Sequence, residues 1–216
     1  MGLREQKKEQ TRARLIETAW RLAGDRGFDQ IPVAEIARAA EVSEATLFNY
    51  FRTKEDLFYA PLESFGDRLI AAVRDRAVDT TPLAAARDFL LQSKGLLAPP
   101  DGNRTAARAQ LETTLRVISE SPALLDREQR AFARYTEDLA ALLNEEDGGD
   151  DPFTAAVVAH AVVGVHRSLV GYVRERVLGG ASLRRVADEV RDHGARSFEL
   201  LEHGLGSYGA RTAAKA

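Results

Sequence analysis

The strongest constraint on the fold is a helix-start signal that occurs three times in the C-terminal two thirds of the sequence. At Thr81-Pro82, Ser121-Pro122 and Asp151-Pro152, a side chain that can accept a hydrogen bond stands directly before a proline. Such a side chain can cap the free amides of a helix, and proline is favoured at the first helical position. Each pair therefore predicts the start of a helix.

The remainder of the chain also has the residue pattern of helices. Apolar residues recur at helical spacing, and no stretch alternates apolar and polar residues as a half-buried strand does. The sequence therefore predicts an all-α fold of about nine helices. The predicted helices lie near residues 7–26, 32–40, 43–51, 53–76, 82–98, 103–120, 122–145, 152–177 and 182–205.

Several protein classes are excluded by composition. The 216 residues include no cysteine, which excludes disulfides, thiolate nucleophiles and sulfur-ligated zinc. No uninterrupted apolar run approaches the roughly 18 to 20 residues that span a bilayer, and the first ten residues lack the apolar segment of a signal peptide. We therefore expect a soluble, cytoplasmic protein without a membrane partner.

Charge is distributed unevenly along the chain, whose formal net charge is -3. Residues 1–54 contain ten Lys and Arg against eight Asp and Glu, whereas residues 55–216 contain 20 against 25. The acidity therefore belongs to the C-terminal part, and the N-terminal segment has a small positive excess that is compatible with a nucleic-acid partner.

Two short predicted helices form a helix-turn-helix motif at about residues 32–51. The turn between them lies at Glu41-Val42, Ser43 can cap the second helix, and a longer helix follows from Thr53. The alternative interpretation is three core helices with a polar outer face, because this geometry is common in helical proteins.

The second helix of the motif has the two faces that a DNA-recognition helix needs. Leu47 and Phe51 lie one turn apart and should face the core, whereas Ala45 and Asn49 lie on the opposite side. Small or hydrogen-bonding side chains suit base edges, and hydroxyl or cationic groups at the flanks suit phosphates. This pattern favours DNA binding.

At these positions the sequence resembles the TetR family of bacterial transcriptional regulators. The resemblance implies a three-helix DNA-binding domain at residues 9–69 and an effector-binding and dimerisation domain at residues 70–206. We expect a disordered tail at residues 207–216. In the turn, Glu41 replaces the glycine that the family usually has. The residues that carry the resemblance are 11–16, 19, 26–28, 33–37, 40, 42–43, 46–48, 50–51 and 54–57.

Carried over by position, the family pattern places the second helix of the motif in the major groove. It implies phosphate contacts by Thr46, Tyr50 and Lys54, and Arg4, Lys7 and Lys8 form a basic arm that can reach the DNA backbone or minor groove. The predicted DNA-binding residues are Ser43, Glu44, Ala45, Thr46, Phe48, Asn49, Tyr50 and Lys54.

The last two predicted helices are candidates for a dimer interface. The eighth contains a stripe of mostly small residues, and the ninth has apolar residues at helical spacing. Paired with a second chain, they would form a four-helix interface, as is typical of the family. The alternative is burial inside one chain. The predicted interface residues are Ala156, His160, Gly164, Ser168, Gly171, Val190, Phe198 and Leu201.

The candidate effector site combines aromatic side chains with arginines. The alternative for the aromatic residues is an ordinary core position. The stretch from Arg116 to Leu143 is similar to regulators that bind fatty acyl thioesters, which implies an acyl-like effector and an arginine as its anion partner. The predicted ligand-binding residues are Phe65, Phe89, Arg116, Phe132, Tyr135 and Arg167.

Catalytic and metal-binding motifs are missing from the sequence. It has no glycine-rich phosphate loop and no nucleophile elbow, and the four histidines are not spaced as metal ligands.

Together, the helix-turn-helix and the C-terminal helices lead us to predict a homodimeric repressor without cofactor or metal. We expect it to bind a palindromic double-stranded DNA operator and to be released by a small, largely apolar effector. The alternatives are an activator of the same fold and a helical small-molecule binding protein without DNA function.

Overall fold

The computed structural model describes residues 2–92 and 104–204, and every regular element within them is an α-helix. The all-α fold class with an N-terminal helix-turn-helix is confirmed. The nine helices of the described ranges are α1 (Leu3–Arg26), α2 (Val33–Ala39), α3 (Glu44–Tyr50), α4 (Lys54–Arg74), α5 (Pro82–Leu91), α6 (Arg104–Glu120), α7 (Pro122–Glu146), α8 (Pro152–Leu178) and α9 (Leu183–His203).

The three helix-start signals are all used as predicted. The side chain of Thr81 accepts a hydrogen bond from the Ala84 amide at 3.2 Å. Ser121 accepts from Leu124 at 3.4 Å, and Asp151 accepts from the amide three residues later at 2.9 Å. In each case the capping side chain satisfies an amide that has no partner within the helix.

Two helix boundaries differ from the predicted ones by more than two residues. Helix α1 begins at Leu3 rather than at residue 7, because residues 4–8 include good helix formers and no breaker follows Gly2. Helix α5 ends at Leu91 rather than at residue 98. Residues 93–98 of that predicted helix, the loop at 98–102 and the predicted tail at 207–216 lie outside the described residues.

The chain divides into two compact units. Among the described residues, unit 1 contains 2–68 and 104–135, and unit 2 contains 69–92 and 136–204. The segment 104–135 therefore groups with the N-terminal helices, although the sequence assigned it to the C-terminal domain. These units are defined by packing alone. The division into a DNA-binding domain at residues 9–69 and an effector-binding domain at residues 70–206 therefore stays a prediction.

An aromatic cluster forms the core of unit 1. The ring of Phe58 on α4 packs edge to face against Trp20 of α1, with centroids 4.9 Å apart, and against Phe28, with centroids 5.0 Å apart. Leu15 of α1 and Leu47 of α3 are fully buried in the same cluster. This packing holds α3 against the first helix and α4.

Unit 2 is built mainly from α5, α8 and α9. At Gly194 of α9, a Cβ atom would collide with the side chain of Leu91 and would also meet Leu169. Glycine at this position therefore lets α9 approach both α5 and α8 closely. Phe198, one turn further along α9, is fully buried.

Helix α8 is unusually apolar. By length and composition alone it could cross a membrane, because its most apolar 18-residue window has a mean hydropathy of 1.5. Of the residues in this window, 33% are buried inside the protein. Polar residues such as His160 and Arg167 interrupt its apolar run, so the sequence contains no continuous apolar segment here. One such helix is weak evidence for a membrane span, because a core helix of a soluble protein passes the same test.

Candidate nucleic-acid interface

The turn of the helix-turn-helix motif closes α2 with a Schellman motif. The amide of Val42 donates to the Ala37 carbonyl at 2.9 Å, and the amide of Glu41 donates to the Arg38 carbonyl at 3.1 Å. This motif requires a left-handed residue between α2 and the following segment. Glu41 takes that conformation with φ of 56°, and it is the one non-glycine residue with positive φ among those described.

The start of α3 is fixed by its capping residue. Ser43 has extended backbone angles, and its Oγ accepts the Thr46 amide at 3.0 Å. The two hydroxyl oxygens of Ser43 and Thr46 lie 2.8 Å apart and share a further hydrogen bond. Both hydroxyls therefore help to hold the first turn of α3 in place.

Helix α3 has one buried and one exposed face, as predicted. Leu47 is fully buried, and Phe51 directly after the helix is 4% exposed. The opposite side consists of four exposed side chains, which we call the recognition face. They are Glu44, Ala45, Phe48 and Asn49.

Two of the predicted phosphate ligands at the end of the motif are partly buried. Tyr50 packs against the core of unit 1. The ammonium of Lys54 donates to the Phe28 carbonyl at 2.5 Å and lies 4.0 Å from the centroid of the Phe28 ring. Burial lowers the pKa of Lys54, and the carboxylates of Asp29 and Glu55 act in the opposite direction. Lys54 therefore contacts the segment that connects α1 and α2. Its contact with phosphate stays a prediction.

The basic residues near the N-terminus are helical rather than an extended arm. Arg4, Lys7 and Lys8 lie on the first turns of α1 and are exposed. Arg12, which the site prediction omitted, places its guanidinium 5.3 Å from the centroid of the Phe51 ring. Its spacing of four residues from Lys8 is the signal that could have identified it.

The comparisons with known proteins agree with this geometry. The model of the family of bacterial regulatory proteins named tetR matches residues 15–60. HTH-type transcriptional regulator TcmR of Streptomyces glaucescens is 28% identical over 150 residues, which cover 69% of this chain and 66% of TcmR. The regulator BetI of Rhizobium meliloti (strain 1021) is 39% identical over 74 residues, or 34% of each chain. The matches span less than two thirds of either curated relative.

This chain is therefore similar to the TetR family over residues 15–60. The crystal structure of native NalD, the secondary repressor of the MexAB-OprM multidrug efflux pump in Pseudomonas aeruginosa, supports the same fold. It superposes with a TM-score of 0.57 at 17% identity, covering 88% of this chain and 97% of NalD. The curated relatives TcmR and BetI are transcriptional regulators, the class that the sequence predicts for this chain.

The predicted effector residues fall in both units. Phe65, Phe132 and Tyr135 belong to unit 1, where the last two rings meet edge to face with centroids 6.3 Å apart. Phe89 belongs to unit 2 and borders an open depression of about 240 Å³, together with Arg76 and others. Contact between these aromatic side chains and an effector stays a prediction.

The two predicted anion partners have different surroundings. Arg116 donates to the Gly24 carbonyl at 2.8 Å and pairs with Glu120 at 3.4 Å. It therefore connects α6 to the end of α1, a structural role that the sequence did not reveal. Arg167 is exposed on α8 in unit 2.

The predicted dimer interface needs a correction on α9. Val190 and Phe198 are buried within unit 2, so a second chain cannot reach them. Their helical spacing indicated an apolar face correctly but could not tell which helix covers it. On α8, in contrast, His160, Gly164, Ser168 and Gly171 are exposed, Ala156 is partly exposed, and Leu201 of α9 is also partly exposed.

The histidines do not form a metal site in the described part of the chain. Within residues 2–92 and 104–204, no group of three or more His, Asp or Glu side chains could hold a metal ion. His166 on α8 is 3% exposed, and burial lowers its pKa from 6.5 to about 4. It is therefore a neutral core residue at physiological pH.

Proposed function

We propose that this chain is a transcriptional repressor that binds a palindromic DNA operator as a homodimer and is released by a small, largely apolar effector. The observation that carries DNA binding is the arrangement of α3, whose apolar back is fixed in the core while the recognition face is open. A rigid helix with free polar and small side chains suits insertion into the major groove. TcmR and BetI are HTH-type transcriptional regulators, which supports the same class for this chain.

The exposed face of α8 supports the homodimer. Large apolar side chains are exposed at Phe153 (78%) and Val157 (52%), and glycines follow at helical spacing at 164 and 171. Small residues let a neighbouring helix approach closely, and a two-fold partner would bury the apolar side chains. A dimer also presents two copies of α3 to half-sites about one DNA turn apart.

Helix α4 is the proposed link between effector and DNA. Its first turn follows α3 in unit 1, and its last residues belong to unit 2. An effector that displaces α4 would change the spacing of the two recognition helices. A coupling free energy of about 1 to 3 kcal/mol would lower DNA affinity roughly 5- to 150-fold. The acyl-like chemistry of the effector stays a hypothesis.

The decisive experiment is a binding titration with DNA from the neighbourhood of the gene. Purified protein should bind a palindrome in this region, and its affinity should fall steeply with salt because Lys and Arg contacts release counterions. Asn49→Ala should alter the preferred sequence. Absence of any salt-dependent palindrome binding would contradict the proposal.

The two alternatives are distinguished by further measurements. Deletion of the gene should raise expression of a reporter under the operator if the protein represses, and should lower it if the protein activates. A small-molecule binding protein without DNA function would leave no footprint on the operator. Mass spectrometry of molecules that co-purify with the protein would identify the effector.

A further inference from the structure

The composition of the recognition face limits which bases it can read. We propose that Ala45 and Phe48 contact thymine methyl groups and that Asn49 binds adenine, so that each operator half-site is centred on consecutive A·T pairs. This inference rests on the proposed DNA-binding function and extends it to the sequence that is recognised.

Phe48 is the most informative residue of this face. Its side chain is 47% exposed, which is unusual for a large apolar side chain. The adjacent Leu47 is fully buried, which fixes the rotation of the helix and keeps Phe48 outward. In the major groove, the apolar partner available to Ala or Phe is the C5-methyl group of thymine.

Asn49 supplies the complementary contact. Its exposed amide can donate to N7 and accept from N6 of adenine, which is a bidentate pattern that only an A·T pair offers in the major groove. Ala45, Phe48 and Asn49 lie within about one helical turn, which rises roughly 6 Å from position 45 to position 49. Base pairs are stacked at about 3.4 Å, so these three side chains can contact two or three successive pairs.

Helix α3 lacks the side chains that most often read guanine. The commonest contact with guanine uses Arg or Lys, and the helix from Glu44 to Tyr50 contains neither. Thr46 is engaged with Ser43 at the start of the helix. Glu44 can accept only from an exocyclic amino group, cytosine N4 or adenine N6, so it does not contact guanine itself. The nearest exposed cation along the chain is Arg52, which follows the helix.

The test begins with selection of binding sites from random double-stranded DNA by the full chain. The selected half-sites should contain at least two consecutive A·T pairs at their centre. Each central thymine is then replaced by deoxyuridine, which removes only the methyl group. The dissociation constant should rise about fourfold at each contacted thymine, which corresponds to one buried methyl group.

Variants assign the contacts to individual residues. Phe48→Ala should bind less tightly and should lose the response to deoxyuridine at one thymine while keeping it at others. Asn49→Ala should lose the response to 7-deazaadenine, in which the N7 acceptor is missing. Val78→Ala, which truncates a fully exposed side chain of unit 2, is the matched control and should respond like the unmodified protein. Thermal unfolding should confirm that all three variants fold.

Three results would contradict the inference. Selected sites could have G·C pairs at the centre, deoxyuridine could leave binding by the unmodified protein unchanged, or Arg52→Ala could be the variant that changes base preference. In each case the protein still binds DNA, so only the base assignment fails. If no salt-dependent DNA binding is found at all, the proposed function fails and this inference fails with it.

Discussion

At the scale of single residues, Glu41 holds a backbone conformation that costs stability. An L-residue in the left-handed region is disfavoured by roughly 1 to 2 kcal/mol, and glycine removes this strain. Part of the gain is offset, because glycine loses more backbone entropy than glutamate when the chain folds. Glu41→Gly should therefore raise the free energy of unfolding by about 1 kcal/mol. Urea denaturation followed by circular dichroism measures this change.

The matched control separates backbone strain from charge. Glu41→Ala removes the same carboxylate, which lies 4.0 Å from the Arg14 guanidinium at an exposed position, but it keeps the Cβ atom. The alanine variant should show little or no gain in stability. Equal stabilisation by alanine and glycine would mean that charge, and not the left-handed backbone, explains the effect.

The buried imidazole of His166 makes stability depend on pH. Burial lowers its folded-state pKa to about 4, whereas the unfolded chain titrates near 6.5. Between these values the unfolded state binds the proton more readily, so stability falls as the pH falls from about 6.5 to 4. The contribution of this group is about 3 kcal/mol over that range.

Urea titrations at several pH values between 7.5 and 4.5 measure this contribution. His166→Gln should lose less stability than the unmodified protein as the solution is acidified. His203→Gln, at an exposed position of α9, should behave like the unmodified protein. Parallel curves for the unmodified protein and His166→Gln would contradict the prediction.

At the scale of elements, Arg127 of α7 holds α4 in unit 1 through two carboxylates, and Arg134 adds a more exposed pair with Asp67. The guanidinium of Arg127 donates to Asp56 at 3.0 Å and also to Glu63, and its side chain is 14% exposed. Asp56 also completes the cap of α4, because it accepts the Thr53 amide and donates its own amide to the Thr53 hydroxyl. This arginine therefore supports the helix that follows α3.

Arg127→Ala should destabilise unit 1 by about 2 kcal/mol, because it leaves two partly buried carboxylates without their cation. Arg130→Ala is the control on the same helix, since Arg130 and Asp126 are both largely exposed. It should cost at most about 0.5 kcal/mol. Urea denaturation should separate the two variants, and equal losses would show that burial of the pair is unimportant.

The helical start of α1 predicts a second measurable effect. Arg4, Lys8 and Arg12 succeed each other at intervals of one turn, so they lie along one side of the helix, and Arg12 contacts Phe51 at the end of the motif. If this row contacts phosphates, Lys8→Ala should reduce the slope of log affinity against log salt by about 0.9 per protomer, or about 1.8 for the proposed homodimer. Arg184→Ala in unit 2 should leave the slope unchanged.

At the scale of the whole molecule, Gly164 allows a test of dimerisation that spares the fold. A Cβ atom at this position would meet nothing within 4 Å, so the single chain can accept a side chain there. Gly164→Arg should leave the unfolding temperature of the single chain unchanged but should abolish the dimer. Light scattering should then give the mass of a monomer, and operator affinity should fall by about 100-fold or more. Gly164→Ala should keep the dimer. A dimeric Gly164→Arg variant would contradict the proposed interface.

Helix positions and the helix-turn-helix were predictable from the sequence because their signals are local. The caps at Thr81, Ser121 and Asp151 bind amides three residues away, and the alternation of buried and exposed residues on α3 follows directly from helical periodicity. The unusual residue at 41 was also recognisable, since a turn that normally takes glycine had to place glutamate at positive φ.

Contacts between distant residues were decided only by the tertiary structure. The ammonium of Lys54 contacts the Phe28 carbonyl, Arg116 contacts Gly24, and Val190 and Phe198 are covered within unit 2. The sequence identified these side chains as basic or apolar, but it could not specify their partners. The order of residues along a helix determines which of its faces is apolar and which is polar. Which other helix covers the apolar face is decided only when the distant parts of the chain pack together.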